Sequence, residues 1–142
     1  MKVSFKLNRA NTSLGEQIFI VGSLTSIGLW NPQAALPLET NERLHPNWVS
    51  PATQLIVSPQ ESPKFEYKYL NCLVDTSSTK KRISWEFGEN RVVNLTKFLE
   101  SYKSDKKLEL VVEDPGFNEK NSNFPRVFTF RNRKFDGCYQ VK

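Results

Sequence analysis

Long apolar runs are missing from this chain of 142 residues. None approaches the ~20 consecutive apolar residues that a membrane-spanning helix needs. The first residues, Met1-Lys2-Val3-Ser4-Phe5-Lys6-Leu7, alternate and lack the apolar core of a secretion signal, so a cytoplasmic protein with no membrane partner is expected. Cysteine is scarce. Cys72 and Cys138 are too few for a disulfide-built secreted scaffold of this size, and both read as free thiols. Neither suits a phosphatase-type nucleophile: the position six residues after Cys72 is Ser78, where an arginine is required, and Cys138 lies too near the end. The one histidine, His45, sits between Leu44 and Pro46 and reads as a loop residue. Without clustered His, Cys or carboxylates, no metal site and no cofactor are expected.

Charge of one sign is also missing from most of the chain. The net charge is +5, but residues 126–142 hold five basic residues and one acid, a net of +4. That leaves +1 for the first 125 residues, so nothing in the body demands a nucleic acid or an anionic membrane. Arg126, Arg131, Arg133 and Lys134, interleaved with phenylalanines, are the only candidates for nucleic-acid contact. Such charged runs are usually solvated faces, and nucleic acid is not expected as a partner.

What the chain has is aromatics and alternation. Ten Phe, four Tyr and three Trp favour β structure. Lys2–Leu7 alternates; 17–22 is a short apolar run; 47–58 reads as a strand broken by Pro51; Lys64–Leu70 alternates with Phe65, Tyr67 and Tyr69 on one face. Further short strands are expected at 83–85, 91–95, 108–113 and 124–131, and 96–107 reads as a short helix or a loop. Residues 23–46, with three prolines and no lasting period, are expected to be a long surface connection. Seven or more short strands separated by turns predict an all-β antiparallel sandwich. Phe124, Phe128 and Phe130 suggest that a basic, aromatic-containing extension over 116–142 docks on it as an added strand.

One spaced constellation carries chemistry. Trp30 lies in Ile27-Gly28-Leu29-Trp30-Asn31-Pro32, Lys68 in Phe65-Glu66-Tyr67-Lys68-Tyr69, and Trp85 in Ser84-Trp85-Glu86-Phe87-Gly88-Glu89-Asn90-Arg91. Indole faces stack on the apolar C–H face of a pyranose ring, and neighbouring amide, ammonium and carboxylate groups bind its rim hydroxyls. The bland readings are a core tryptophan, a surface ion pair of Lys68 with Glu66, and turn geometry at Asn90. Arg91 reads as structural, and Trp48, with no such pattern around it, as framework. Glu86 and Glu89 are the only carboxylate pair near the site. Two carboxylates on one exposed turn do not make the cleft of a glycosidase, so no enzyme is expected.

These segments, together with Gly15-Glu16-Gln17-Ile18-Phe19-Ile20-Val21-Gly22-Ser23, follow one another at the spacing of a known family. Over roughly residues 1–115 the chain resembles a family-20 carbohydrate-binding module, the starch-binding domain. The resemblance implies an immunoglobulin-like antiparallel β-sandwich of seven to eight strands, here with the C-terminal extension 116–142. It implies non-catalytic binding of α-1,4-glucans: starch, glycogen or maltooligosaccharides. By the same resemblance Trp30 and Trp85 are stacking platforms, Lys68 and Asn90 hydrogen-bond donors to sugar hydroxyls, and Glu86 an acceptor. A glucan polymer or oligosaccharide is the expected partner, and a protein partner or a fused catalytic domain stays open. The chain departs from the family at Leu29, where many members have Asp or Asn. It departs again at Leu14, where the family's second site has a tyrosine, and over 41–44, which lacks that site's other aromatic. The second site is therefore expected to be lost or weakened. The alternative is the same fold used as a protein-binding scaffold.

Overall fold

The computed structural model describes residues 1–51, 53–54, 63–77, 79–119 and 124–140. Two sheets face each other. The first contains β1 (Lys2–Leu7), β4 (Trp48–Val49), β5 (Thr53–Gln54), β9 (Leu108–Asp114), β10 (Arg126–Arg131) and β11 (Lys134–Tyr139), in the order β11-β10-β9-β1-β4, with β5 also on β1. The second contains β2 (Glu16–Gly22), β3 (Leu36–Pro37), β6 (Lys64–Val74), β7 (Lys80–Trp85) and β8 (Arg91–Asn94), in the order β3-β2-β6-β7, with β8 also on β6. Of these eleven strands, three have only two residues; seven of the other eight fall where short strands are expected from the sequence, and β11 is an addition. Helix α1 (Thr96–Ser104) resolves the ambiguity over 96–107 in favour of a helix, with Phe98 buried and Leu99 and Tyr102 packed beside it.

Alternation builds the core. In β1, Val3, Phe5 and Leu7 are buried between the sheets and Lys2, Ser4 and Lys6 face outward. In β6, Phe65, Tyr67 and Tyr69 point inward, stacking edge-on or tilted against one another and Phe5 at centroid distances of 5.7–6.3 Å. Leu110 and Val112 of β9 and Val127 of β10 close the same core. Within 47–58 the strands are β4 and β5; residues 47, 50 and 51 are not strand, and 52 and 55–58 lie outside the described residues.

Three expectations change. The sandwich is not wholly antiparallel, because β1 and β9 run parallel, Lys2 beside Glu109 through Leu7 beside Asp114. Those strands are far apart in the chain, so no tight hairpin constrains their direction. β6 continues past Leu70 to Val74, which carries its outer row from Lys68 to Leu70 and Cys72. The connection after β2 is more than a surface loop. Leu24, Ile27 and Leu38 enter the main core, while Trp30 and Ala35 pack over Phe19, Val21, Leu70 and Cys72 on the outer face of the second sheet. β2 is therefore buried on both faces, which explains why its sequence is a continuous apolar run.

The chain after residue 116 adds β10 and β11 to the first sheet. β10 pairs with β9 along its length, and Tyr139 of β11 lies edge-on to Phe98 at 5.7 Å with the Lys97 ammonium 3.7 Å above its ring.

Candidate functional site

The outer face of the second sheet gathers most of the sequence constellation. Trp30 reaches it through a tight turn. A single 3-10 turn over Thr25–Ile27 ends at Gly28, and Gly28, Leu29 and Trp30 all adopt left-handed φ values, 90°, 49° and 63°. A Cβ at Gly28 would lie 2.8 Å from the Ala34 carbonyl oxygen, so glycine is required there. Left-handed backbone at two bulky residues costs energy, about 1 kcal/mol or more each. It is held by Leu29 N–H on the Leu24 carbonyl (3.2 Å) and Trp30 N–H on the Gly22 carbonyl (2.9 Å). Asn31 then accepts from the Gln33 N–H at 3.0 Å. The result is a half-buried indole seated on the Phe19–Val21–Leu70–Cys72 cluster.

Trp85 is the last residue of β7, directly across from Leu70 of β6, and is 39% exposed. Lys68 lies two residues before Leu70, on the same row, across from Val21. Its ammonium donates to the Glu86 carbonyl oxygen at 3.1 Å and to the Gly88 carbonyl oxygen. Lys68 is thus not the surface partner of Glu66; it ties the 86–90 loop to β6. Asn90, half-buried at the end of that loop, reaches Glu66 Oε1 with Nδ2 at 3.5 Å, beside a shallow groove lined by Glu66, Gly88, Glu89, Asn90 and Val92.

Glu86 is a correction. It is 3% exposed and faces the core, so it accepts nothing from a ligand on the outer face. Successive strand residues point to opposite faces, and Trp85 outward puts Glu86 inward. Inside, its carboxylate takes a bidentate fork from Arg91 (Nε to Oε1 at 3.0 Å, Nη2 to Oε2 at 2.6 Å), plus the backbone N–H of Tyr69 at 3.0 Å and of Asn118 at 2.8 Å. Arg91 also donates to Asp114 Oδ1 at 3.0 Å and to the Gly116 carbonyl at 2.9 Å, while the hydroxyls of Tyr67 and Tyr69 both donate to Asp114 Oδ2 at 2.8 Å. Burial pushes the Asp114 carboxyl above its ordinary value, against the pull of Arg91 and the two tyrosine hydroxyls. The same desolvation, reinforced by Asp114, raises both tyrosines well above theirs. A Glu86–Glu89 catalytic pair is excluded by the same burial. Among the described residues no group of His, Cys, Asp and Glu is arranged to hold a metal.

One exposed apolar residue was given no role in the motif reading: Phe87, 77% exposed, follows Trp85 by two positions. Leu29, the departure from the family before Trp30, is 57% exposed. Strand parity at Trp85 was the available signal for Phe87. At the positions of the expected second site, Leu14 stands fully exposed at the lip of an open groove lined by Gly15, Leu38, Glu39, Thr40 and Trp48. Trp48 itself is buried, its indole N–H on the Ala10 carbonyl at 3.2 Å. Of the basic residues considered for nucleic acid, Arg131 is neutralised by Asp105 at 2.9 Å and Asp136 at 3.2 Å, and Arg126 pairs with Glu113 at 3.8 Å.

A family model described as a starch binding domain covers residues 1–105. A cyclomaltodextrin glucanotransferase of Geobacillus stearothermophilus is 29% identical over 94 residues, 65% of this chain and 12% of the relative. An alpha-amylase of Streptomyces violaceus is 29% identical over 86 residues, 61% of this chain and 13% of the relative. The chain thus spans about an eighth of the length of these relatives. Among solved structures, the family 15 glucoamylase from Hypocrea jecorina superposes with a TM-score of 0.54 at 21% identity, over 80% of this chain and 16% of that one, a likeness of fold.

Proposed function

The chain belongs to the starch-binding domain family, and on that premise we propose that it binds α-1,4-glucans at one site built on Trp30 and Trp85, without catalysis, and so brings itself or an attached protein to the polysaccharide. The observation that carries the reading is the shared face. Trp30 packs on the Phe19–Val21–Leu70–Cys72 cluster on the outer face of the second sheet, Trp85 lies directly across from Leu70 of that cluster, and Lys68 is two residues before Leu70 on the same face. An α-1,4-glucan curves, so two rigid aromatics, one on the turn after β2 and one at the end of β7, meet successive rings at different angles, with little rotamer entropy lost. Asn90 donates to a sugar hydroxyl. Lys68 acts chiefly by fixing the loop, since two of its three N–H donors are already engaged by the Glu86 and Gly88 carbonyls.

The contact area is small, and the affinity is of the order of micromolar to millimolar. Retention on a polymer comes from many repeated sites. With Leu14 at the second position and no aromatic over 41–44, binding is one-site and granular starch is poorly disrupted. Calorimetric titration of the intact chain with maltoheptaose and β-cyclodextrin, alongside Trp30→Ala and Trp85→Ala, tests this. Saturable one-site heat lost in both variants is expected. No heat at millimolar ligand from a demonstrably folded chain would overturn it in favour of a protein-binding scaffold.

A further inference from the structure

The first sheet, away from the tryptophans, carries a second concavity of different chemistry. It lies where the start of β1, the junction between α1 and β9, and the β10–β11 turn come together, and is lined by Lys2, Tyr102, Lys106, Lys107, Leu108, Glu109, Asn132 and Arg133. Four cations face one carboxylate, Glu109. Lys2, Lys106, Lys107 and Arg133 make no ion pair among the described residues, like several other surface cations, but here four of them line one pocket. Asp105, next in the chain, is paired with Arg131 at 2.9 Å, accepts the Lys107 backbone N–H at 3.0 Å and lies within Coulombic reach of the Lys107 ammonium. The Lys106 ammonium sits 4.5 Å above the centre of the Tyr102 ring, which places it at the pocket wall.

The turn supplies an independent observation. Asn132 and Arg133 both have left-handed φ, 53° and 66°, making a two-residue hairpin loop. Such loops favour Asn or Asp at the first position and Gly at the second. Here the first position obeys and the second holds an arginine, a strained choice whose side chain lines the pocket. Lys107, Leu108, Glu109, Asn132 and Arg133 also lie beyond the residues that the starch-binding family model matches, as does Lys106.

We propose that this pocket binds a phosphate group. A tetrahedral phosphate monoester carries about −1.5 to −2 charges and three strong acceptor oxygens. It can share these among donors from three separate segments, with the Arg133 guanidinium taking two oxygens as a fork. A single carboxylate would leave most of the cations uncompensated. The cations are solvent-exposed, so the affinity is modest and falls with salt.

The test is amide chemical-shift titration of the isotope-labelled intact chain with pyrophosphate and, separately, with glucose 6-phosphate, against sodium chloride at matched ionic strength. Saturable shifts at Lys106, Lys107, Asn132 and Arg133 are expected. Tighter binding of pyrophosphate assigns the site to free polyphosphate, and tighter binding of glucose 6-phosphate to a sugar-borne ester; either upholds a phosphate site. Arg133→Gly separates function from folding. It relaxes the left-handed turn, so the melting temperature holds or rises, while phosphate binding weakens about fivefold or more through loss of the fork. Absence of saturable shifts, shifts reproduced by sodium chloride, or unchanged affinity in Arg133→Gly overturns the proposal.

Discussion

Trp85 and Glu86 are neighbours in sequence and opposites in role. One stands on the outer face of the second sheet, 39% exposed; the other is 3% exposed in the core, locked to Arg91. The difference extends to the whole sheet. Its outer face holds indoles, an amide and an ammonium arranged around an open surface, and its inner face holds a closed charge network. A two-residue motif that reads as one binding unit is split between an exposed indole and a buried structural carboxylate. The carboxylate still serves the site: Arg91 and the backbone N–H groups of Tyr69 and Asn118 fix Glu86, and Glu86 fixes where Trp85 leaves the strand.

The strongest way to break that division is Arg91→Ala. Arg91 is 1% exposed and balances two buried carboxylates, so its removal leaves Glu86 and Asp114 unpaired. Breaking a buried pair in this way costs about 3–5 kcal/mol. At ~3 °C per kcal/mol for a domain of this size, the melting temperature falls by about 10 °C or more. Calorimetric or circular-dichroism melting reads the effect. A fall of only a degree or two would mean that the inner network is dispensable.

Trp85→Ala is the converse. Removing a half-exposed stacking platform takes away about 1–2 kcal/mol of sugar contact, roughly a tenfold loss of maltoheptaose affinity. Its stability cost is smaller than that of Arg91→Ala because little of the indole lies in the main core. Melting and titration on the same preparation separate the two faces: unfolding of Trp85→Ala at room temperature would join them again.

The sequence made the sheets legible wherever one face is buried and the other wet. β1 and the first half of β6 announce themselves by alternation, and Val3, Phe5, Leu7, Phe65, Tyr67 and Tyr69 are the core that results. The placement of Trp30, Lys68 and Trp85 on one face was legible as well, by turn position and strand parity. Parity also decides Glu86, and reading the Trp-Glu pair as a unit overrode it. Two features have no local signature. The parallel pairing of β1 with β9 joins segments a hundred residues apart, and β11 is a polar edge strand whose alternation is weak. The partners of Arg91 come from the loop after β7, from the end of β9 and from the segment after it, which no spacing rule connects.

Lys68→Met sharpens the comparison from the boundary between the faces. Lys68 lies on the outer row, yet its hydrogen bonds go to the Glu86 and Gly88 carbonyls rather than outward. Methionine keeps the stem and removes the donors. The loop loosens, and losing these hydrogen bonds costs about 1 kcal/mol, seen as a severalfold weaker titration with maltoheptaose and faster amide exchange at 87–90. If affinity falls while exchange at 87–90 is unchanged, Lys68 acts by touching the sugar and not by holding the loop.

The smallest effect comes from protons. Burial raises the Asp114 carboxyl above its ordinary 3.8, so the folded chain keeps a proton that the unfolded chain has released. Where the native state binds more protons, stability falls as pH rises; the fall begins near the ordinary value and ends once pH passes the raised one. Asp114→Asn is neutral at every pH and lacks this slope. The difference in melting temperature, wild type minus Asp114→Asn, therefore shrinks or turns negative as pH climbs through that window, and is flat above it. A difference that grows with pH would mean that Arg91 and the tyrosine hydroxyls outweigh burial and hold Asp114 ionised. The inner network would then be a net attraction, and Arg91→Ala would cost more in alkali than in acid. The outer face offers a control, because neither an indole nor the Asn90 amide titrates. Maltoheptaose affinity measured over the same pH range on folded protein follows the Asp114 slope only if the two faces are coupled through Glu86 and the 86–90 loop.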